Sequence, residues 1–517
     1  MFFMRQTIIV MSRHIEYDLK NDIYKQYQIL DASFYKKHSI GDLMNRISED
    51  VSRVRMYFGP AVMQTINILT IIIFCLYNMF QKSAILTWYV LAPLPVLAII
   101  IYFVNAIISR KSEKIQSLLS DVTTNAQQSY SGIRVIKSYV QEHFIKEKFN
   151  EQSNQYRQSA LSLAKVEAFY FPANVLLIGI STLVALLVGA LFYHQNLAAI
   201  NAGLTMPHPE ITPGTIAEFI LYLTMLSFPF SAIGWVTSII QRAAVSQHRI
   251  NEFLLEKPTI KDNGINPEIN PESVAITLKD VNYTYENTGI RALKNVSLNI
   301  PANSRIAILG KTGSGKSTLA NVIMRQYEID GGNISFNDKD ITGYGIKYHR
   351  QLISNVPQEV FLFSDTVRQN IAFGANEVED EEVVAAAKNA VIHDEILKFQ
   401  NGYDTVVGER GVTLSGGQKQ RISIARAILK EAPVVIFDDC LSAVDAKTEQ
   451  AIIKNLDEYL TNKTALIITH RIFSSLNFDE IIVMNDGRIM ERGNHETLLA
   501  LNGEYARMYH QQVTNAR

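Results

Sequence analysis

Residues 310–318 read Gly-Lys-Thr-Gly-Ser-Gly-Lys-Ser-Thr, directly after the apolar run Arg305–Leu309 and before a helix that begins near Leu319. This matches G-x-x-x-x-G-K-[ST] in the strand-then-helix setting that gives the pattern its meaning. The chemistry it suits is the holding of a phosphate chain. Glycines 310, 313 and 315 let backbone N–H groups turn inward on phosphate oxygens, with Lys311, Thr312, Ser314 and Thr318 completing the stretch. The following helix presents its positive N-terminus to the same anion. Lys316 supplies a point charge to the β- and γ-phosphates, and Ser317 offers its hydroxyl to Mg²⁺. A second apolar strand, Val434–Phe437, ends in Asp438 and Asp439. Beside a phosphate loop, the first carboxylate is placed for the Mg²⁺ shell and the next for the attacking water. The plainer reading of the pair is a capped turn. Leu414-Ser-Gly-Gly-Gln418 precedes a helix rich in Arg and Lys, so Ser415, Gly416, Gly417 and Gln418 form a second phosphate cradle. One nucleotide needs one cradle. The spare is explained if it completes a site on a partner domain.

These residues must be positioned by an α/β domain. After residue 274, short β-branched strands alternate with helices. The stretch Glu256–Ser273 carries Pro258, Pro267, Pro271 and Gly264 and reads as a linker. The division expected is 1–255, a linker at 256–273, and 274–517. The first part differs in texture. It holds four long apolar stretches, near 58–80, 84–108, 169–193 and 216–240. Each approaches the roughly 20 residues that a helix needs to cross a bilayer. Pro93, Pro95 and Pro229 predict kinks that neighbouring helices tolerate. The alternative, buried helices of a large soluble domain, suits one such run better than four.

Composition agrees with a two-part chain. The length of 517 residues implies at least two domains at about 150 residues each. Lys+Arg 49 against Asp+Glu 50 gives a net charge of -1, which argues against a basic nucleic-acid surface. With 47% hydrophobic and 19% charged residues, disorder is excluded. Cys75 and Cys440 cannot make a disulfide framework or a cysteine zinc site, and read as small apolar packing residues. The mean hydropathy of +0.04 averages two unlike halves.

Basic residues set the orientation. They crowd the segment before the first span and the one between the second and third, from Arg110 to Lys165. The turn at 81–83 has only Lys82, and the loop His194–Thr215 has neither Lys nor Arg. The first segment, the middle segment and the α/β part are therefore expected on the cytoplasmic side. Met1–Val10 is too short to span and lacks the order of a signal peptide. Ser112–Gln128 and Val140–Val166 read as helices continuing into the cytoplasm. The apolar knobs Phe34–Tyr35 and Ile133–Ile136 read equally as docking points or as plain helix–turn–helix corners.

The set Gly310–Thr318, Gln358, Leu414–Gln418, Asp438–Asp439, Ser442–Asp445 and His470 resembles the ATP-binding-cassette ATPases across about 230 residues. Joined to the preceding spans, the chain resembles a half-transporter of the ABC exporter type. Gly41–Asp50 and Ser131–Tyr139 are similar to the family's intracellular loops, whose coupling helices rest on the ATPase domains. The resemblance implies a helical transmembrane domain followed by an α/β P-loop ATPase, ATP and Mg²⁺ as ligands, and multi-pass placement in the inner (plasma) membrane. It implies that Tyr285 (less so Tyr283) stacks on adenine, that Gln358 touches Mg²⁺ and relays nucleotide state, that His470 is the switch histidine near the γ-phosphate, and that Asp445 is a dimer contact. The implied partners are a second half-transporter, the lipid bilayer, and an apolar or amphipathic small-molecule, lipid or peptide substrate. No nucleic acid is implied.

Two departures stand out. The family has six membrane helices per half against four spans here, with Met1–Val10 corresponding to the cytoplasmic end of the second; a fragment, a misassigned start and a truncated product all account for this. The second is Asp439, where the family has Glu. One methylene fewer withdraws the carboxylate by roughly 1.3–1.5 Å, and a misplacement of about 1 Å costs on the order of 10²-fold in rate. An Asp here resembles the weakened-site subunit of heterodimeric exporters, a homodimer being the alternative. The leading reading is an ATP-driven efflux subunit. Against it stands a nucleotide-gated regulatory or non-transporting membrane subunit, or an inactive fragment.

Overall fold

The computed structural model describes residues 2–515 apart from 203, 210, 263, 265–272, 376, 409–413, 443 and 473–476; at 94, 96–98, 101, 102, 105, 170, 171, 173, 174, 177, 231, 446 and 515 only the backbone is described. Half of the expected linker, with Pro267 and Pro271, and Ala443 thus lie outside the described residues. The chain divides into two compact units. One is Met1–Tyr27 with Gly41–Glu256, and the other is Gln28–Ile40 with Lys257–Arg517.

The first unit is helical. Among the described residues, three helices are long and apolar enough to cross a membrane: Ile40–Lys82, Ile178–Asn201 and Pro213–Leu255. The expected stretch 84–108 divides at Ala92–Pro93 into the helices Ala84–Leu91 and Leu94–Ser131, and several of its side chains are outside the described set. Helix Glu142–Asn201 runs unbroken for 60 residues, so the expected span 169–193 continues a helical extension that begins well before it. In Ile40–Lys82 the helix widens to π geometry at Tyr57–Ala61, around Pro60. Proline removes one hydrogen bond and crowds the carbonyl four residues back, and a π-turn relieves both. Large apolar side chains such as Phe74, Trp88, Leu183, Leu187 and Phe228 are exposed, as lipid-facing residues are. The interior packs Cys75, Met79, Leu86, Val90, Phe219, Leu223 and Leu226.

The second unit carries two sheets. Strands β1 (Ile276–Tyr285), β2 (Ile290–Ile300), β4 (Gly331–Phe336) and β5 (Lys339–Asp340) form an antiparallel sheet in the order β2-β1-β4-β5. Strands β3 (Arg305–Leu309), β6 (Ile353–Val356), β7 (Val434–Asp438), β8 (Thr464–Thr469), β9 (Glu480–Asn485) and β10 (Arg488–Gly493) form the other, in the order β10-β9-β3-β8-β7-β6. Its strands are parallel except β10. Every residue of β7 and β8 is buried, as expected of parallel strands covered on both faces. One core lies between the sheets and around helix α1 (Lys316–Ile323). Another lies under helices α2 (Gly416–Leu429) and α3 (Ala446–Tyr459). A smaller third core involves β3, β9 and helix α4 (Glu504–Asn515).

Candidate functional site

Ligands of doubly wound sheets bind beyond the carboxyl ends of the parallel strands. Here β3, β8 and β7 are neighbours, with Leu309 paired to Thr469 and Asp438 to Ile468. The residues just past those ends are Gly310, His470 and Asp439. The strand order therefore brings three motifs, far apart in sequence, to one rim.

The phosphate loop is shaped by glycine at two positions. Gly310 has φ +154°, and a Cβ there would stand 2.3 Å from the Met484 carbonyl. Gly315, the N-cap of α1, has φ +100°, and its Cβ would meet the Ala292 carbonyl at 2.5 Å. Lys316 Nζ donates to the carbonyls of Gly310 (2.7 Å) and Lys311 (2.9 Å) and to Ser314 Oγ (3.3 Å). Burial lowers the pKa of its ammonium, against the pull of Asp438 and Asp439. Asp438 moves the other way: burial raises its pKa, opposed first by a hydrogen bond with Ser317. The lysine, the hydroxyl and the carboxylate thus share one low-dielectric patch.

Asp439 sits in the left-handed region, φ +48°, a conformation that costs a non-glycine residue energy. Its N–H donates to the Ile468 carbonyl at 2.8 Å, which holds the turn against β8. Its carboxylate lies 2.9 Å from His470 Nδ1.

A cleft of about 290 Å³ opens over this rim, lined by Tyr285, Ile290–Ala292, Thr312–Thr318, Gln358, Asp438, Asp439, Thr469, His470, Asp486 and Gly487. Gly310 and Lys311 flank it at the base of the loop. Tyr285, not Tyr283, reaches the cleft. Its hydroxyl is 2.9 Å from Thr318 Oγ1, whereas Tyr283 is buried and stacks on Tyr327. Register shifts in β1 on both sides of Tyr283 break the simple alternation that would have decided between them.

Ser415, Gly416, Gly417 and Gln418 do not line this cleft among the described residues. Ser415 caps α2, its Oγ accepting from the Gln418 N–H (3.2 Å) while Gln418 Oε1 accepts from the Ser415 N–H (2.9 Å). Gln418 Nε2 donates to Glu395, which also pairs with Arg421. The second cradle is therefore preformed, with Ser415 and Gly416 exposed. Asp445 caps α3, accepting from the Thr448 N–H at 3.1 Å.

Two basic residues near the site carry no sequence signal. Arg291 enters the cleft because the β1–β2 hairpin pairs Tyr285 with Ile290. Lys36 belongs to the short helix Ala32–Lys37, capped by Asp31, which also accepts from the Thr259 N–H at 2.7 Å. Its ammonium lies 4.5 Å from the centre of the Tyr285 ring and 4.7 Å from that of Tyr327. The first apolar knob is thus placed within the second unit, Phe34 buried and stacked on His38.

A parallel-sheet fold, a glycine-built phosphate loop and a distant second cradle define an ATPase cassette joined to membrane helices. Comparison with known proteins gives the family. Residues 1–230 match the ABC transporter transmembrane region, and residues 293–442 match the ABC transporter family itself. The multidrug resistance-like ATP-binding protein MdlA of Escherichia coli (strain K12) is 35% identical over 511 residues, covering 98% of this chain and 83% of that protein. An ATP-dependent lipid A-core flippase of Vibrio parahaemolyticus is 33% identical over 492 residues, 94% of this chain and 81% of its own length. In fold, the chain is like a bacterial Atm1-family ABC exporter with ATP bound, with a TM-score of 0.81, 24% identity, and coverage of 98% of this chain and 86% of that one. The chain belongs to the ABC transporters, as an ABC exporter half-transporter with a transmembrane region and an ATPase domain. It is an ATP-binding, ATP-hydrolysing subunit of a membrane efflux system and works as part of a dimer.

Proposed function

We propose that the chain is the slow-site subunit of a heterodimeric exporter. In this reading residues 1–255 form the membrane domain, 256–273 the linker and 274–517 the ATPase, with the whole in the inner (plasma) membrane. The observation that carries the reading is the cleft at the rim of β3, β8 and β7, where Lys316, Ser317, Gln358, Asp438, Asp439 and His470 converge. Tyr285 offers its ring to adenine at one end. Lys316 and the loop N–H groups bind the β- and γ-phosphates at the other.

The donors present fit Mg²⁺. Ser317 and Asp438, hydrogen-bonded to each other, are hard oxygen ligands, and Gln358 adds a carbonyl. Mg²⁺ is commonly held by one or two protein groups together with substrate phosphates, so an all-protein cage is not required. When bound, the ion neutralises charge on the phosphate oxygens. The protein's own part is to hold that charge among fixed dipoles and to orient the attacking water.

Asp439 does this second task poorly. Its carboxylate is shorter than a glutamate's and lies against His470 at 2.9 Å, where it orients the imidazole better than it reaches a water. Meanwhile Ser415–Gln418, intact and with Ser415 and Gly416 exposed, is offered to the partner's phosphate loop. The substrate proposed is an apolar or amphipathic molecule, in keeping with the multidrug and lipid A names of the relatives. The test is Asp439→Glu, read as γ-phosphate release from azido-ATP cross-linked to this chain. Hydrolysis at this cleft should rise at least about tenfold. An unchanged or reduced rate would refute the slow-site assignment.

A further inference from the structure

Helix α4 is anchored at its start and reaches the catalytic rim at its end. Glu491 of β10 caps it, Oε1 accepting from the Glu504 N–H (2.6 Å) and Oε2 from the Tyr505 N–H (3.1 Å). Tyr505 is fully buried in a cluster with Ala307 and Leu309 of β3 and Ile481 and Val483 of β9. The first turn of α4 is therefore fixed to the strand that feeds the phosphate loop.

Two turns on, Gln512 grips the segment after β8. Its Oε1 accepts from the Ile472 N–H (2.8 Å), and its Nε2 donates to the Ile472 carbonyl (2.9 Å). Ile472 lies two residues beyond His470. A carboxamide that bonds both the N–H and the C=O of one residue fixes the rotation of that backbone as well as its position. Ile472 also packs on the Tyr505 cluster, but packing does not fix that rotation. A cavity of about 400 Å³ borders the same segment, with Thr469, Ile472, Tyr505 and Tyr509 among its walls, so the main chain has room to move on that side.

We propose that Gln512 is a positioning residue for His470. It holds the main chain at Ile472 so that the imidazole stays 2.9 Å from Asp439 and at the rim of the cleft. The C-terminal helix thereby becomes a control point for hydrolysis, since movement of α4 reaches the segment after His470 through this amide as well as through the cluster on which Ile472 and Met508 pack. The inference rests on the reading of His470 as a group acting at the γ-phosphate.

The test uses the full chain in its membrane complex, with His470→Ala, Gln512→Met, Gln512→Glu and the double variant His470→Ala/Gln512→Met. Gln512→Met keeps the length and loses both bonds, whereas Gln512→Glu keeps the acceptor and loses the donor. The readout is single-turnover hydrolysis of azido-ATP cross-linked to this chain, beside its binding affinity. Gln512→Met should slow hydrolysis about three- to tenfold with unchanged affinity, since displacements below 1 Å already cost severalfold. Gln512→Glu should fall between it and the parent. In the double variant, Gln512→Met should add nothing to His470→Ala. A neutral Gln512→Met beside a damaging His470→Ala overturns this inference alone. Additive losses, or loss of affinity in step with rate, also overturn it. A neutral His470→Ala overturns the reading of His470 and the inference with it.

Discussion

Two glycine-bearing cradles at helix starts stand in one ATPase unit, and they differ in what surrounds them. The loop at Gly310–Ser317 keeps company: its lysine is half-buried, its hydroxyl is bonded to Asp438, and a cleft gathers Gln358, Asp439 and His470 against it. The start of α2 has glycines and a capping serine but, among the described residues, none of this company; the acid Glu395 bonds Gln418 and Arg421 there. A helix N-terminus attracts an anion wherever it occurs. Holding and cleaving a nucleotide takes a cation, a metal-holding acid and a stacking ring as well. On the proposed reading, the first cradle owns a site, and the second is half of one whose other half belongs to a partner.

Lys316→Ala separates the two most sharply. It removes the charge from the first cradle and leaves a buried Asp438 uncompensated, so nucleotide affinity at this chain's own cleft should fall by about 10- to 100-fold. Photolabelling of this chain by azido-ATP reads it, and labelling of the partner should hold. Equal loss on both chains would break the division between the cradles. Tyr285→Ala comes next. Loss of one base–aromatic stack is worth about 1–3 kcal/mol, so affinity should drop roughly 5- to 150-fold, while Tyr285→Phe keeps most of it. ATP titration of the variants decides this. Comparable weakening in both would show that the hydroxyl bond to Thr318, rather than the ring, is what matters.

A smaller effect lies behind the helices. The far end of α1 is held by His349, fully buried, whose Nε2–H donates to the Ile323 carbonyl at 2.8 Å. Burial pushes its pKa down to about 4. The unfolded chain therefore binds a proton that the folded one does not, and stability present above about pH 6.5 is lost as the pH falls towards 4. The loss is on the order of 3 kcal/mol. The matching end of α2 is held instead by Lys430, which donates to the carbonyls of Arg350 (2.7 Å) and Ile353 (2.5 Å). Thermal melts between pH 7.5 and 4.5 should show the loss in the parent, and His349→Gln should flatten it. A parent melt independent of pH would contradict the role of His349.

What the sequence made legible was local. A phosphate loop is written in consecutive residues because its conformation depends on glycines that only a few positions admit, and the same holds for the capped start of α2. The acids ending an apolar strand were legible because the strand is continuous and buried. What the sequence hid was set by pairing at long range. Tyr285 is separated from Tyr283 only by bulges in β1. The bond between Asp439 and His470 depends on β7 and β8 lying side by side. Gln28–Ile40, which composition assigned to the membrane half, clusters with the ATPase unit, and Lys36 meets Tyr285 there without any motif to announce it. Gln512 is an ordinary glutamine in an amphipathic helix until the fold sets it beside Ile472.

The division between the cradles is tested most directly by steady-state ATP hydrolysis of the complex carrying either Asp439→Asn or Gly416→Asp. The first change further weakens a base in this chain's own cleft, which on the slow-site proposal contributes little turnover. The second sets a carboxylate and its bulk at the exposed cradle, against the γ-phosphate of the productive site, where loss of a single donor already costs about 10²–10³-fold. The account predicts a loss under about twofold for Asp439→Asn and near-complete loss for Gly416→Asp. Equal and severe losses in both would mean two equivalent sites, and would contradict it.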